Sequence, residues 1–114
     1  MAAALSIRLV PDTAKTLAFG AIAAGYMGVG AAFDHPVRIL MIQNLTDAQL
    51  MFSFDGINDH VPLPREGYLL LDVTANKATE GGFYIAEGTR VYVKQIEVPT
   101  VGSVYVTTFY GANT

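Results

Sequence analysis

The densest set of side chains able to do chemistry is Asp55, Asn58, Asp59 and His60, within the stretch SFDGINDH. As a metal site it would offer Asp55 and Asp59 as oxygen ligands and His60 as a nitrogen ligand. The spacing does not fit a calcium loop, which needs ligands at alternating positions and a distant Glu. Nor does it fit zinc, because the two histidines, His35 and His60, lie far apart in sequence. The same residues suit a hairpin connection, where Asp and Asn bond their own backbone and Gly supplies a positive φ. That reading makes Asp55, Gly56 and Asn58 turn formers and implies no metal and no cofactor.

The other candidates for catalysis lack partners in the sequence. Ser53 sits inside the strand-like run LMFSF and not on a G-x-S-x-G turn, so no nucleophile elbow is present. His35 precedes Pro36, which favours extended backbone, and no nucleophile and acid accompany it. Glycines 20, 25, 28 and 30 make no phosphate loop, since neither G-x-G-x-x-G nor a closing Lys-Ser/Thr occurs. The chain has no cysteine, which excludes disulfides, thiolate metal sites and Cys nucleophiles. Asn44-Leu45-Thr46 fits a glycosylation sequon and reads as a chance match. No motif makes the chain an enzyme.

These residues need a framework, and strand signals supply it. Residues 37–43 are apolar on both alternating sets, which predicts a strand buried on both faces. A polar turn follows at Asn44 to Asp47. Residues 50–54 place Leu50, Phe52 and Phe54 on one face. A second turn comes at Asp55-Gly56. Residues 62–65, PLPR, read as a loop or sheet edge. Residues 68–73 form another strand, 75–82 a loop, and 83–85 a short strand. Glu87-Gly88 turns the chain into a strand over 89–96. A turn at 99–102 leads to a last strand over 103–110, and residues 5–10 form a short strand ended by Pro11-Asp12. About eight to ten short strands at regular spacing indicate a sandwich or barrel. The expected fold is therefore all-β: one domain over 1–114, an antiparallel β-sandwich or jelly-roll-like barrel. Residues 34–114 would make its core and residues 1–33 an N-terminal strand and Gly/Ala-rich arm.

The arm includes residues 16–33, a run without a charged side chain. A transmembrane helix needs about 20 strongly apolar residues. Here glycine and alanine dominate, and basic flanking clusters are missing, so no membrane partner is expected. A secretory signal fits poorly, because Asp12 falls in the would-be basic region. The expected role is an arm lying on a neighbouring subunit, with small residues allowing close approach. Phe19, Ile22, Tyr26, Met27, Val29 and Phe33 would provide its contacts, together with Tyr105, Phe109 and Tyr110 from the last strand.

Composition supports burial by partners. The 114 residues are 52% hydrophobic and 15% charged, against a charged share of about 25% in typical domains. Small domains expose much of their surface, so such an apolar excess implies covering subunits. The net charge of −3 and seven scattered basic residues argue against nucleic acid as a partner. Tyrosines 84, 92 and 105 define an alternative, a small glycan-binding β-sandwich with a stacking platform.

One resemblance bears on function. The pieces that carry it are Leu17-Ala18-Phe19-Gly20, Tyr26-Met27-Gly28-Val29-Gly30 and the long stretch HPVRILMIQNLTDAQLMFSFDGINDH, followed by LLLDVTANK, the Glu87-Gly88-Thr89 turn, VYVK and GSVYVTTFYG. In this order they resemble a class of small structural proteins encoded in tailed-bacteriophage genomes, over roughly residues 16–111. N-L-T-D followed by S-F-D-G and L-D-V-T-x-N-K is the most specific part. The resemblance implies a non-enzymatic virion component assembled in many copies. Its partners would be other copies and virion proteins such as a portal or adaptor, a tail protein or the major capsid protein. It further implies a place at the head–tail connector or neck, or else as a capsid decoration or cement protein.

Overall fold

A computed structural model describes residues 7–73 and 84–113. Among these residues nine strands follow in order: β1 (Ile7–Pro11), β2 (Lys15–Ala18), β3 (Met27–Gly28), β4 (Val37–Thr46), β5 (Leu50–Ser53), β6 (Val61–Leu63), β7 (Tyr68–Asp72), β8 (Tyr92–Gln95) and β9 (Gly102–Asn113). A 3-10 turn at Phe19–Ala21 separates β2 from β3. The first sheet runs β1-β9-β4-β7, with β2 also on β9, and the second runs β3-β8-β5-β6. All pairings are antiparallel, so the expected β-sandwich is the fold. The expected loop over 75–82 and residue 83 of the expected 83–85 strand lie outside the described residues. Ile85 forms an isolated bridge with Val37.

The first sheet is built around β4 and β9, which pair from Val37 opposite Tyr110 to Thr46 opposite Gly102, with a bulge between Val37 and Ile39. Alternation along these long strands sorts side chains onto two faces. Leu40 and Ile42 of β4 and Val104 and Val106 of β9 point inward and are essentially fully buried. Leu50 and Phe52 of β5 and Val93 of β8 meet them from the second sheet. Each such side chain contributes about 1.5–3 kcal/mol by leaving water, and that burial is what holds the sheets together.

Residues 37–43 correct the expectation of a strand buried on both faces. The inward set is buried, but Ile39, Met41 and Gln43 on the other face are only half-buried. An uninterrupted apolar run looks alike whether its second face is covered or bare. β4 also continues through Asn44 to Thr46, so the expected turn at 44–47 begins only at Asp47.

Residues 16–33 are seated on the chain's own sandwich. β2 belongs to the first sheet and β3 to the second, and Ile22, Val29 and Phe33 between and after them enter the common core. The backbone here bonds to the strand opposite: Val29 N–H donates to Val91 C=O (2.8 Å), and Phe33 N–H to Thr89 C=O (2.8 Å). The small residues do permit close approach, but to Arg90 of the same chain. Its Nε donates to Gly30 C=O (2.7 Å), and its guanidinium fills the space a Cβ on Gly28 would need. Among the described residues no helix is long and apolar enough to cross a membrane.

Candidate assembly interface

The loop after β5 gathers Ser53, Asp55 and His60, the residue types of a hydrolase triad, in a different geometry. The Ser53 hydroxyl is buried and donates to Asp55 Oδ1 (2.8 Å) while accepting the Asp55 and Gly56 N–H groups. His60 Nδ1 accepts the Phe54 N–H (3.0 Å) and stands 3.5 Å from Ser53 Oγ. The serine proton is thus directed at a carboxylate, and the imidazole nitrogen nearest it already holds a backbone donor. A base must accept the nucleophile's proton directly, and this arrangement does not provide that.

Asp55 instead organises the turn. Its carboxylate also accepts the N–H groups of Ile57 and Asn58 (both 2.8 Å) and the Asn58 side chain. These donors, the Asn58 and Ile57 N–H groups first, hold its pKa far below the usual carboxylate range. Gly56 supports the turn at φ 75° with the Tyr92 ring against it. Asp59 faces another way: it accepts the Tyr26 hydroxyl (2.5 Å) and pairs with Lys94 (3.0 Å), whose ammonium lies over the Tyr26 ring. The Tyr26 and Lys94 hydrogen bonds lower the Asp59 pKa. Among the described residues no three His, Cys, Asp or Glu side chains converge as metal ligands.

Asn44 and Asp47, both expected in one turn, do separate tasks. Asn44 is fully buried within β4. Its Nδ2 donates to the carbonyls of Ala48 (2.8 Å), Leu63 (3.1 Å) and Pro64 (3.0 Å), and its Oδ1 accepts the Thr46 N–H and hydroxyl. A glycan cannot reach that amide in the folded chain. Asp47 lies in the bend itself and accepts from the Thr100 N–H (2.8 Å), the Thr100 hydroxyl and the Val101 N–H, tying two loops together. The Thr100 bonds depress its pKa. Gly88 turns the chain at φ 89°, as expected.

The expected contact residues divide into three groups. Ile22, Val29 and Phe33 are buried core, which corrects their assignment to an interface: they offer no surface in the folded chain. Phe19 and Met27 are exposed, while Tyr26 is engaged with Asp59 and Tyr110 stacks on His35 with ring centroids 3.7 Å apart. Tyr105 and Phe109 lie on the outer face of the first sheet, as their places opposite Gln43 and Ile39 require. Tyr92 is on the outer side of the second sheet and Tyr105 on that of the first, so tyrosines 84, 92 and 105 form no common platform.

The outer face of the first sheet was not legible as a unit, because its residues come from five strands. The ladder registers set Met41, Gln43, Tyr68, Leu70, Tyr105 and Phe109 side by side on it. Tyr68 is 65% and Leu70 53% exposed. Asp72 is the one charged side chain that the ladders place on this face among the described residues. An antiparallel sheet with one solvated face ordinarily shows polar residues there. A largely apolar face with so little charge is the kind of surface that marks protein association.

Fold and surface together define an antiparallel β-sandwich with one apolar, nearly uncharged outer sheet face. No protein-family model matches the chain, and neither a curated protein nor a solved structure does.

Proposed function

We propose that the protein is a non-enzymatic structural component of a tailed-phage virion, assembled in several copies through the outer face of its first sheet. The single observation that carries the assembly reading is that outer face: a largely apolar surface across β1, β2, β9, β4 and β7 on which, among the described residues, the ladders place Asp72 as the one charge. The virion part rests on the resemblance of residues 16–111 to small phage structural proteins. A rigid sandwich fits such work, because its loops are pinned by internal bonds such as those of Asn44, Asp47 and Asp55 and its core is continuous. A cyclic ring at the head–tail junction would cover the apolar face of every copy through a repeated contact.

A decoration protein on the head shell is the second reading. Copy number in purified particles of the encoding phage separates the two. A ring at the junction gives a few copies at one vertex, whereas decoration gives copies in proportion to shell subunits. Absence of the chain from purified particles would remove both.

A further inference from the structure

β1 and β2 form a strap that is held differently from the rest of the chain. Both pair with β9 alone. No residue from Arg8 to Ala21 is buried, and the continuous core begins at Ile22. Leu17 packs on the edge of that core, and the Lys15 stem fills the space a Cβ on Gly30 would need. The rest of the hold is the backbone ladder to β9, with the Asp12 N–H donating to Thr108 C=O (2.9 Å) between the two strands. Segments with few buried apolar contacts open at a lower free energy than the whole fold.

The link from strap to core is built as a hinge. Phe19–Ala21 is a 3-10 turn with no buried residue and no side-chain cap. The Ile22 N–H closes it on Phe19 C=O (3.1 Å), and a Cβ on Gly20 would meet nothing within 4 Å. Opened out, the steps from Ala18 to Ile22 reach about 13 Å. Sheets packed face to face stand about 10 Å apart. A strap anchored at Ile22 therefore reaches a sheet packed on its own.

We propose that this strap is exchanged between copies, so that β1 and β2 of one chain pair with β9 of another. The exchange rests on the assembly reading, because copies held together through their first sheets meet each other's straps at high local concentration. The ladder selects a second copy as the occupant of β9. Pro11 stands opposite Phe109 but Lys15 opposite Val106, four steps on the strap against three on β9. A strand in uniform register cannot follow that offset. Another copy's strap carries the same offset and remakes every bond. Exchange of an identical element is accordingly a low-cost route to an oligomer.

The chain has no cysteine, so introduced thiols report the exchange cleanly. Leu17 stands opposite Val104, and antiparallel partners lie about 4.5–5.5 Å apart at Cα, within disulfide range. Val104 is buried inside the sandwich, beyond reach of a neighbour's outer face. Leu17→Cys and Val104→Cys are made on separate chains, mixed where the parent is oligomeric, and oxidised. Exchange predicts a covalent dimer joined between positions 17 and 104. L17C mixed with Val98→Cys, at a 70% exposed site, should give far less. In the unmodified protein the Asp12 amide should exchange at least about tenfold faster than that of Val29, which donates to Val91 C=O beside the core. This second measurement keeps the test standing should V104C fail to fold. If linkage stays at the V98C background in an oligomeric parent, or the Asp12 amide is as slow as that of Val29, the exchange is wrong and the assembly reading stands without it. A parent monomeric at every concentration overturns both.

Discussion

The side-chain amide of Asn44 donates to the backbone carbonyl of Leu63 across 3.1 Å, joining the end of β4 to the end of β6 in the buried interior. The same nitrogen serves Ala48 and Pro64, so one residue ties β4 to the bend at Ala48 and to the Leu63–Pro64 segment. Removing it takes a donor from the Ala48, Leu63 and Pro64 carbonyls and an acceptor from the Thr46 N–H and hydroxyl, although the Thr46 hydroxyl still reaches the Ala48 carbonyl and the Gly67 N–H still reaches that of Pro64. Asn44→Ala should therefore cost about 2–4 kcal/mol, more than one ordinary hydrogen bond. Asn44→Asp should cost at least as much, because a carboxylate cannot donate to those carbonyls. Urea denaturation of both variants measures this, and a loss below about 1 kcal/mol would show that the network is dispensable.

Two glycines with similar backbones should respond differently to alanine. Gly102 (φ 94°) and Gly88 (φ 89°) both occupy the left-handed region. A Cβ on Gly88 meets nothing within 4 Å, but one on Gly102 would overlap the Leu45 carbonyl oxygen. Gly88→Ala should cost about 1–2 kcal/mol, the backbone strain alone. Gly102→Ala adds steric overlap where β4 and β9 meet and should cost clearly more. Equal melting temperatures for the two variants would contradict the close approach at Gly102.

Acid should weaken the fold through its turn carboxylates. Asp55, Asp47 and Asp59 all have pKa values lowered by hydrogen bonds in the folded chain. A group whose folded pKa is depressed stabilises the fold above its unfolded pKa, about 3.9 for Asp. That contribution is lost as pH falls from there through the folded value. Melting temperature should hold above about pH 5 and drop below about pH 4. Asp55→Asn should melt lower than the parent at neutral pH and show a shallower acid decline. A parallel acid decline in parent and variant would mean that Asp55 does not carry the effect.

What could be read in advance depended on how local each cause was. The Asp55-Gly56 turn is legible because Asp55 bonds residues two and three positions ahead. Asn44 is not, since N-L-T-D looks like a turn until Leu63 and Pro64 bring their carbonyls from a distant loop. The Gly/Ala run looks like an arm because its partners, Val91 and Arg90, lie far along the chain. The apolar outer face is built from alternate residues of separate strands, so only the ladder registers reveal it.

The central claim is that the bare outer face of the first sheet is an assembly surface. Gln43 and Thr107 lie on that face, half-exposed and central. Lysines there should leave folding nearly untouched, within about 0.5 kcal/mol for surface changes, while placing charge in any covered interface. Sedimentation of the parent and of the Gln43→Lys/Thr107→Lys double variant, across a range of concentrations, tests this directly. The parent should form a discrete oligomer, and the double variant should sediment as a monomer with an unchanged melting temperature. A parent that stays monomeric throughout, or a double variant that keeps the parent's mass, would contradict the claim.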